Sequence, residues 1–486
     1  MGLTSLRQRP WAGAILGLLA LLSGCGGGGG GSGSSSSASS GGASGGGTTT
    51  TPATCSLLDR QNWALAQLQE WYLFPDTLPS NPNPSAYTTV EDYIDSLTAT
   101  ARAQGHDRYF TYLTSISGED AYYNSGSSAG FGFRIATDAA ARTAVVTELF
   151  EGAPALAAGI DRGTQIIAIG TSTSDLRQVS DIIASSGTAG VTDALGPSTA
   201  GTTRLLRVSD SAGTRNVSVT KSDYSLTPVS SRYGAKIISD GGIKVGYVNL
   251  RTFISTADPA LRSAFLQFQA AGVTQVIVDL RYNGGGLISI AETFARLLGG
   301  NRATTDVIEK LTYRPEKSSN NTTAYFAAQP ESISAMKIAF IGTGGTASAS
   351  ELVANAFVPF LHANAGLIGT NTYGKPVGQI AIDRSACDDR FRIIAFAVQN
   401  AAGSANYYTG LASVFEASCQ AADDVNHPMG DPAEASTRAA LDFIEGKACT
   451  KIATDQQTTL SASAGHRLLL TPTRPDTAQR EVPGLF

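Results

Sequence analysis

Two turns in this sequence, each directly after a strand-like apolar run, could hold reacting groups. In the first, residues 276–279 form an apolar run ending in aspartate, and Gly284, Gly285 and Gly286 follow shortly afterwards. Such a run is typical of a strand buried on both faces. Backbone N–H groups at a strand-to-helix turn can bind an anion, including the oxyanion of a reaction. On this stretch alone, a tight turn without chemistry explains the pattern equally well.

The second turn contains two serines, either of which could act as a nucleophile. Residues 337–342 predict another buried strand, and Ser348 and Ser350 follow it just before an apolar helical run. A serine between a strand and a helix N-terminus has an exposed hydroxyl and nearby N–H donors. Lys375 lies in a glycine-flanked turn further along the chain. A lysine there can serve as the base for the serine if burial keeps its amine neutral.

Alternating strands and helices must position these turns. Apolar runs at 244–250, 276–279 and 337–342 predict strands, and helical periodicity follows each of them. In open α/β sheets, ligands bind beyond the carboxyl ends of the strands. Residues 226–450 therefore predict an α/β domain that carries both turns.

The flanking regions differ in character. Residues 54–125 contain leucines and aromatic residues at three-to-four spacing and predict a small helical domain. Residues 451–486 show little periodicity and predict a partly disordered tail. The whole chain has 486 residues, which suffices for two or three domains.

Composition disfavours several functions. The net charge is −5 and only 15% of residues are charged, with no basic patch, so nucleic-acid binding is not expected. The four histidines are scattered and no cysteine pair has zinc-type spacing. The sequence therefore predicts neither a metal site nor a cofactor.

Four cysteines predict two disulfides in an oxidising compartment. They are Cys55, Cys387, Cys419 and Cys449. Of the three possible pairings we favour Cys387–Cys419 with Cys55–Cys449. Four buried free thiols are the alternative.

The N-terminus resembles a bacterial lipoprotein signal. In residues 1–25, two arginines precede an apolar stretch too short to span a bilayer, and the sequence Leu-Ser-Gly-Cys closes it at Cys25. The resemblance implies acylation of Cys25 and a lipid-anchored protein facing the periplasm. Gly26 is not the aspartate of inner-membrane retention, which favours the outer membrane. An ordinary signal peptide is the alternative. Residues 26–53 are rich in Gly, Ser and Thr and predict a flexible linker.

Three segments resemble the signatures of the C-terminal processing peptidases, also called tail-specific proteases. They start at Asp279, Thr346 and Tyr373 and read Asp-Leu-Arg-Tyr-Asn-Gly-Gly-Gly, Thr-Ala-Ser-Ala-Ser-Glu and Tyr-Gly-Lys-Pro-Val-Gly-Gln. The resemblance covers residues 55–450. It implies a multidomain α+β chain: a small helical cap, a PDZ domain and a crotonase-like α/β catalytic domain. The implied substrates are unfolded or C-terminally exposed proteins; an activator and a homo-oligomer stay open.

Residues 126–225 resemble a PDZ domain. The strand after the PDZ carboxylate-binding loop accepts a peptide by β-augmentation. The stretch 153–169 is similar to the PDZ helix-turn-strand run. Four residues match the carboxylate-binding loop and are implied to bind substrate: Gly130, Phe131, Gly132 and Phe133.

The resemblance also implies catalytic roles. Ser348, the first serine of its motif, would be the nucleophile of a Ser-Lys dyad, and Lys375 its base. Gln379 would orient the lysine and Glu351 would support the site. The separation between Ser348 and Lys375 is slightly longer than in the family, which a short insertion would explain. Ser350 would restore the usual separation and stays open as the alternative nucleophile.

An oxyanion hole is implied by the same motifs. Its donors would be the N–H groups of Gly285 and Ala349, with Gly286 as the substitute for Gly285. Two other functions stay open. One is a catalytically silent PDZ-type peptide-binding adaptor on the same fold. The other is a crotonase-like hydrolase or isomerase of small molecules, which the PDZ-like stretch disfavours.

Overall fold

The structure, a computed structural model, describes residues 55–454 and 467–486, which belong to one compact unit. The predicted signal, linker and lipidation site at Cys25 lie outside the described residues. Within the described ranges, no helix has the length and apolar character that a membrane span requires. These ranges also contain no cluster of three or more His, Cys, Asp or Glu that could hold a metal ion.

A helical segment opens the described chain. Ser56 and Thr89 cap its two longer helices, their side chains accepting the N–H groups of Asp59 and Asp92. The buried faces pack against Phe391 of a later strand. The elements are α1 (Leu57–Trp71), α2 (Val90–Leu97), α3 (Ala99–Ala103), β1 (Tyr112–Ser115) and α4 (Ile116–Ser125).

An antiparallel sheet with its own hydrophobic core follows. Strands β3, β4, β5, β7 and β8 pair in that order, β6 pairs with β5, and β2 pairs separately with β9. The elements are β2 (Ser127–Gly130), β3 (Phe133–Asp138), β4 (Thr143–Leu149), α5 (Pro154–Ala157), β5 (Gln165–Gly170), β6 (Arg177–Gln178), α6 (Val179–Ser186), α7 (Ala189–Leu195), β7 (Thr203–Asp210), β8 (Gly213–Thr220) and β9 (Ser222–Ser225).

The third region is built on two sheets. The elements are β10 (Lys236–Asp240), β11 (Ile243–Asn249), α8 (Ala257–Ala270), β12 (Gln275–Asp279), α9 (Ile288–Leu298), β13 (Val307–Tyr313), β14 (Thr322–Tyr325), β15 (Lys337–Gly342), α10 (Ala349–Leu361), β16 (Ala365–Gly369), β17 (Val377–Arg384), β18 (Asp389–Gln399), β19 (Ala417–Gln420) and α11 (Ala435–Ile444). The predicted mixed α/β fold is confirmed.

A mostly parallel sheet brings the two predicted turns together. Its order is β10-β11-β12-β15-β16-β19, and only β10 is antiparallel to its neighbour. Strands β12 and β15 are adjacent, with Asp279 opposite Ile341. The turns after both strands therefore leave the same edge of the sheet. The second sheet has the order β1-β18-β13-β14, with β17 paired to β18.

The prediction of a partly disordered tail is wrong for residues 467–486. They form β20 (Leu468–Leu469), which pairs antiparallel with β3, and α12 (Thr477–Glu481). Asp476 caps α12 by accepting the N–H of Gln479. This stretch lacks amphipathic periodicity because it is held by contacts to distant parts of the chain. The remaining part of the predicted tail, residues 455–466, lies outside the described residues.

The predicted disulfide pairing is also wrong. The bridges are Cys55–Cys387, with Cα atoms 5.6 Å apart, and Cys419–Cys449, with Cα atoms 5.4 Å apart. Cys387 sits at the tip of the β17–β18 hairpin, where the chain before α1 reaches it. Cys419 is on an edge strand beside which residues 449–450 run, with the Gln420 N–H donating to the Thr450 carbonyl. Sequence spacing carries none of this pairing information.

Candidate active site

Ser348 occupies a strained turn between β15 and α10. Its backbone has φ +55° and ψ −117°, a conformation that non-glycine residues seldom adopt. Its side chain is partly exposed, whereas Ser350, two residues further on, is fully buried. The Ser350 hydroxyl donates to the Asn283 carbonyl at 2.9 Å. The structure thus presents Ser348 to solvent and uses Ser350 to join the two turns.

Glu351 fastens the serine turn to the lysine turn. Its buried carboxylate accepts the backbone N–H of Ser348 at 3.1 Å, of Gly374 at 2.7 Å and of Lys375 at 2.7 Å. It also accepts the Thr372 hydroxyl at 2.6 Å. Burial raises the pKa of Glu351, and these donors oppose that rise. One side chain therefore sets the distance between two backbone segments that carry the candidate dyad.

Lys375 has an environment suited to a neutral amine. Its Nζ donates to Gln379 Oε1 at 3.0 Å and lies 5.0 Å from the centroid of the Phe110 ring. Burial lowers the pKa of Lys375, and the charge of Glu481 opposes that shift only in part. Within the described residues no direct hydrogen bond joins Lys375 to Ser348.

Gln379 lies where the sequence predicts a residue that orients the lysine. It accepts from Lys375 and donates its amide N–H to the Phe110 carbonyl. Phe110 comes from the segment before β1 and was not predicted to belong to the site. Phe110 is the last residue of the sequence run Asp107-Arg-Tyr-Phe, but nothing in that run indicates a contact with Gln379.

The glycine turn packs directly against Ser348. A Cβ on Gly285, whose φ is +120°, would lie 2.8 Å from Ser348 Cβ and 3.1 Å from the Ala349 nitrogen. Only glycine allows this approach. The Gly285 N–H, however, donates to Asn283 Oδ1 at 2.9 Å, so in this structure it is not directed to an oxyanion. Among the described residues no partner is assigned to the N–H of Ala349 or of Gly286. The predicted oxyanion hole thus has Ala349 available, and Gly286 remains the substitute for Gly285.

A buried ion cluster holds the start of the glycine turn. Arg281 donates to Asp279 Oδ1 at 3.0 Å and, through both terminal nitrogens, to the Glu434 carboxylate at 2.9 Å each. Burial opposes ionisation of Glu434, but the charge of Arg281 and the hydrogen bonds from Arg281 and Thr437 together outweigh it and lower the pKa of Glu434 to about 2. This cluster fixes the strand end from which the turn leaves.

The predicted peptide-binding loop lies apart from the dyad. Phe131 and Phe133 are buried in the core of the antiparallel sheet, and Gly132 has φ +76°. A Cβ on Gly132 would lie 1.9 Å from the Ala153 side chain, so the loop requires glycine there. Gly130 precedes it at the end of β2. Near the dyad, a cavity of about 1510 Å³ is lined by Lys375, Ala347 and Gly284, among others.

Exchanging Glu351 for glutamine tests its fastening role. We expect Glu351→Gln to lower the free energy of unfolding by roughly 3 kcal/mol, because an amide N–H₂ would face backbone donors that then lack acceptors. Urea unfolding monitored by fluorescence measures this loss as a lower midpoint of the unfolding transition. Glu316→Gln is the control, since the Glu316 side chain is 70% exposed. Equal midpoints for the two variants would contradict the role.

Comparison with known proteins agrees with this geometry. Residues 244–400 match Peptidase family S41, and residues 59–112 match the Peptidase S41 N-terminal domain. A chloroplastic C-terminal processing peptidase of Tetradesmus obliquus is 29% identical over 273 residues, 54% of this chain and 54% of the relative. A carboxyl-terminal-processing protease of Synechocystis is 26% identical over 332 residues, 67% of this chain and 69% of the relative. For the first relatives the chain spans about half of their length, 54% and 46% in two cases.

A solved structure shares the fold. An S41-family chain from Bacteroides fragilis superimposes with a TM-score of 0.60 at 23% identity, over 79% of this chain and 97% of that one. The matched residues 244–400 contain both turns, Ser348, Glu351 and Lys375. Residues 59–112 and 244–400 of this chain are therefore similar to the two domains of peptidase family S41, and the relatives that it matches are carboxyl-terminal-processing proteases.

Proposed function

We propose that this protein is a serine endopeptidase that hydrolyses peptide bonds in exported proteins with a Ser348–Lys375 dyad. The observation that carries the proposal is the Glu351 carboxylate, which binds the backbone N–H of Ser348 and of Lys375 at once. A structural turn has no need to fix a partly exposed serine, in strained backbone, beside a lysine of lowered pKa.

The chemistry is acyl transfer. The neutral amine of Lys375 takes the proton of the Ser348 hydroxyl as its oxygen attacks the scissile carbonyl carbon. The N–H of Ala349 stabilises the resulting oxyanion. Lys375 then gives the proton to the leaving amine, and an ester to Ser348 remains. Water, deprotonated by Lys375, attacks the ester; Lys375 returns that proton to the departing Ser348 oxygen, and the new carboxyl end is released. Gln379 holds the amine in place throughout through its Oε1.

Substrate selection in this proposal belongs to residues 126–225. The loop Gly130–Phe133 and strand β3 form a PDZ-type groove that takes the carboxyl end of a protein by β-strand addition. Burial of Phe131 and Phe133 beside Gly132, whose φ is positive, supports an apolar pocket at this loop. The groove captures a tail, and the dyad cleaves the chain to which that tail belongs.

The location proposed is the bacterial cell envelope. Acylation of Cys25 would hold the enzyme on the outer membrane, with the catalytic region facing the periplasm. The pairing of all four remaining cysteines supports an oxidising compartment. Metabolic labelling with a palmitate analogue, compared between the full chain and Cys25→Ser, would detect the lipid.

A fluorophosphonate probe tests the proposed function. We expect it to phosphonylate Ser348, displacing fluoride, and to abolish cleavage of an unfolded casein; peptide mass spectrometry locates the label. A label on Ser350 would move the nucleophile by two positions. If neither the unmodified chain nor a Phe486→Asp variant is labelled or cleaves casein, the alternative of a catalytically silent peptide-binding adaptor is favoured.

A further inference from the structure

The groove strand β3 is fully paired by a distant part of the same chain. One edge of β3 pairs with β4. Along its other edge, Leu468 and Leu469 pair with Thr137 and Ala136, and the Leu470 N–H donates to the Ile135 carbonyl at 2.9 Å. Residues 467–486, called the 467–486 segment below, therefore cover the edge at which a peptide would add.

The last part of this segment lies in the predicted peptide-binding loop. The Gly132 N–H donates to the Phe486 carbonyl at 2.9 Å, and the Phe486 N–H donates to the Phe133 carbonyl at 3.0 Å. The Ile135 N–H donates to the Gly484 carbonyl at 2.9 Å. These alternating bonds are those of an added antiparallel strand. The segment makes the backbone contacts that the proposed function reserves for a substrate.

Side chains of the segment fill specific pockets. Phe486 is 2% exposed and lies in one hydrophobic cluster with Phe131, Phe133 and residues of α6. Leu485 is equally buried, beside Tyr224 in a neighbouring cluster. Gly484 has φ +86°, and a Cβ there would lie 2.9 Å from Arg134 Cγ. The groove thus fits the order glycine, leucine, aromatic.

The same segment contacts the active-site turn. The Gly284 N–H donates to the Glu481 carbonyl at 2.9 Å, and a Cβ on Gly284 would lie 2.5 Å from the Arg480 carbonyl oxygen. Burial raises the pKa of the Glu481 carboxyl, which also accepts the Tyr123 hydroxyl at 3.0 Å. Its position brings a carboxyl group into the electrostatic surroundings of Lys375.

Arg134 joins these two places. This buried side chain of β3 donates to the Pro483 carbonyl at 2.8 Å and to the Tyr282 carbonyl at 2.7 Å. Pro483 belongs to the 467–486 segment and Tyr282 to the glycine-turn motif. Arg134 therefore links the segment in the groove to the turn that packs on Ser348 through two hydrogen bonds.

We propose that the 467–486 segment is a built-in ligand of the peptide groove that restrains the enzyme, and that substrates whose carboxyl ends carry a Gly-Leu-aromatic sequence displace it. Groove occupancy stands on the contacts above; the effect on cleavage rests on the proposed function. Because the ligand is tethered, its effective concentration is on the order of millimolar, so a free peptide competes poorly with it.

A binding experiment in the full chain tests occupancy without catalysis. The background is Ser348→Ala, and the probe is a fluorescein-labelled peptide with the sequence of residues 480–486. Phe486→Asp places a charge in the apolar pocket and should release the segment. Leu266→Asp is the matched control, since Leu266 is an apolar residue on α8 with 51% exposure. We expect the probe to bind the Phe486→Asp chain at least tenfold more tightly than the parent or the control.

Hydrogen exchange gives an independent reading. Amides of Gly132 and Ile135 should be protected in the parent, exchange faster in Phe486→Asp, and regain protection when the peptide is added. Gly484→Ala, which leaves every buried side chain in place, should act in the same direction if Phe486→Asp unfolds the domain. Equal probe affinity for parent and released variants, or protection that rises with protein concentration, would overturn the intramolecular assignment.

A cleavage arm separates this inference from the proposed function. With Ser348 intact, Phe486→Asp should cleave unfolded casein at least tenfold faster than the unmodified chain. A positive binding result without cleavage by any variant would refute the peptidase and leave the occupied groove standing. Cleavage that is active but unchanged by Phe486→Asp would refute the restraint.

Discussion

Ser348→Ala should lower kcat/KM for hydrolysis of an unfolded protein on the order of 10⁴-fold or more, as expected for a lost nucleophile. Ser350→Ala should stay within tenfold of the unmodified chain. The Ser350 hydroxyl is fully buried and donates to the Asn283 carbonyl, so its loss weakens the link between the turns without removing a reacting group. Ser348, in contrast, is partly exposed in strained backbone at the head of α10.

The comparison is best made by initial rates on casein, with thermal melting of both variants to show that they are folded. Because the two serines are two residues apart on one turn, each variant controls for the other. An inactive Ser350→Ala together with an active Ser348→Ala would contradict the assignment and shift the dyad by two positions.

Lys375→Met should lower kcat/KM on the order of 10³-fold, within the range of a lost general base. Methionine keeps much of the length and apolar volume of lysine but cannot accept a proton. Lys337→Met is the control: Lys337 is also partly buried with a lowered pKa, but it begins β15, at the end of the strand opposite the Ser348 turn. Its rate should match the unmodified chain.

The pH profile distinguishes a base from a packing role. Burial lowers the pKa of Lys375 from its ordinary 10.5, so the neutral, active form accumulates as pH rises through that lowered value. We expect kcat/KM of the Phe486→Asp chain to rise with pH and to level off below pH 10.5. The residual activity of Lys375→Met should lack this limb. A limb that survives the substitution would contradict the base assignment.

Local patterns were sufficient for the elements that carry chemistry. The runs at 276–279 and 337–342 are strands within one residue of prediction, because residues buried on both faces leave a continuous apolar signal. The Ser348 turn could be found because a strand, a glycine-rich turn and a helix N-terminus succeed one another in sequence. The glycine-flanked turn of Lys375 suggested a possible base, but only its motif connected it to the Ser348 turn, since nothing in its own neighbourhood indicates which turn it faces.

Contacts between distant segments could not be predicted from local patterns. Phe110 reaches Gln379, and Cys55 reaches Cys387, because α1 and β1 pack on β18. Residues 467–486 are ordered because they contact an edge strand, a glycine turn and an apolar pocket, each formed by distant parts of the chain. The sequence of residues 467–486 shows no periodicity because each residue contacts a different part of the chain. The acceptor for the Gly285 N–H could have been predicted from the sequence, since Asn283, two residues before it, can form an Asx turn.

The Cys55–Cys387 bridge joins residues 332 apart, and Ser348 and Lys375 both lie between them. The candidate dyad therefore sits inside a covalently closed ring. A single backbone cut anywhere in that ring would open it without releasing a fragment. On a denaturing gel, the cut molecule would migrate as one species until a reductant is added. A peptidase cleaved in this way by another copy of itself would keep Ser348 and Lys375 in one covalently connected molecule for as long as its surroundings stay oxidising.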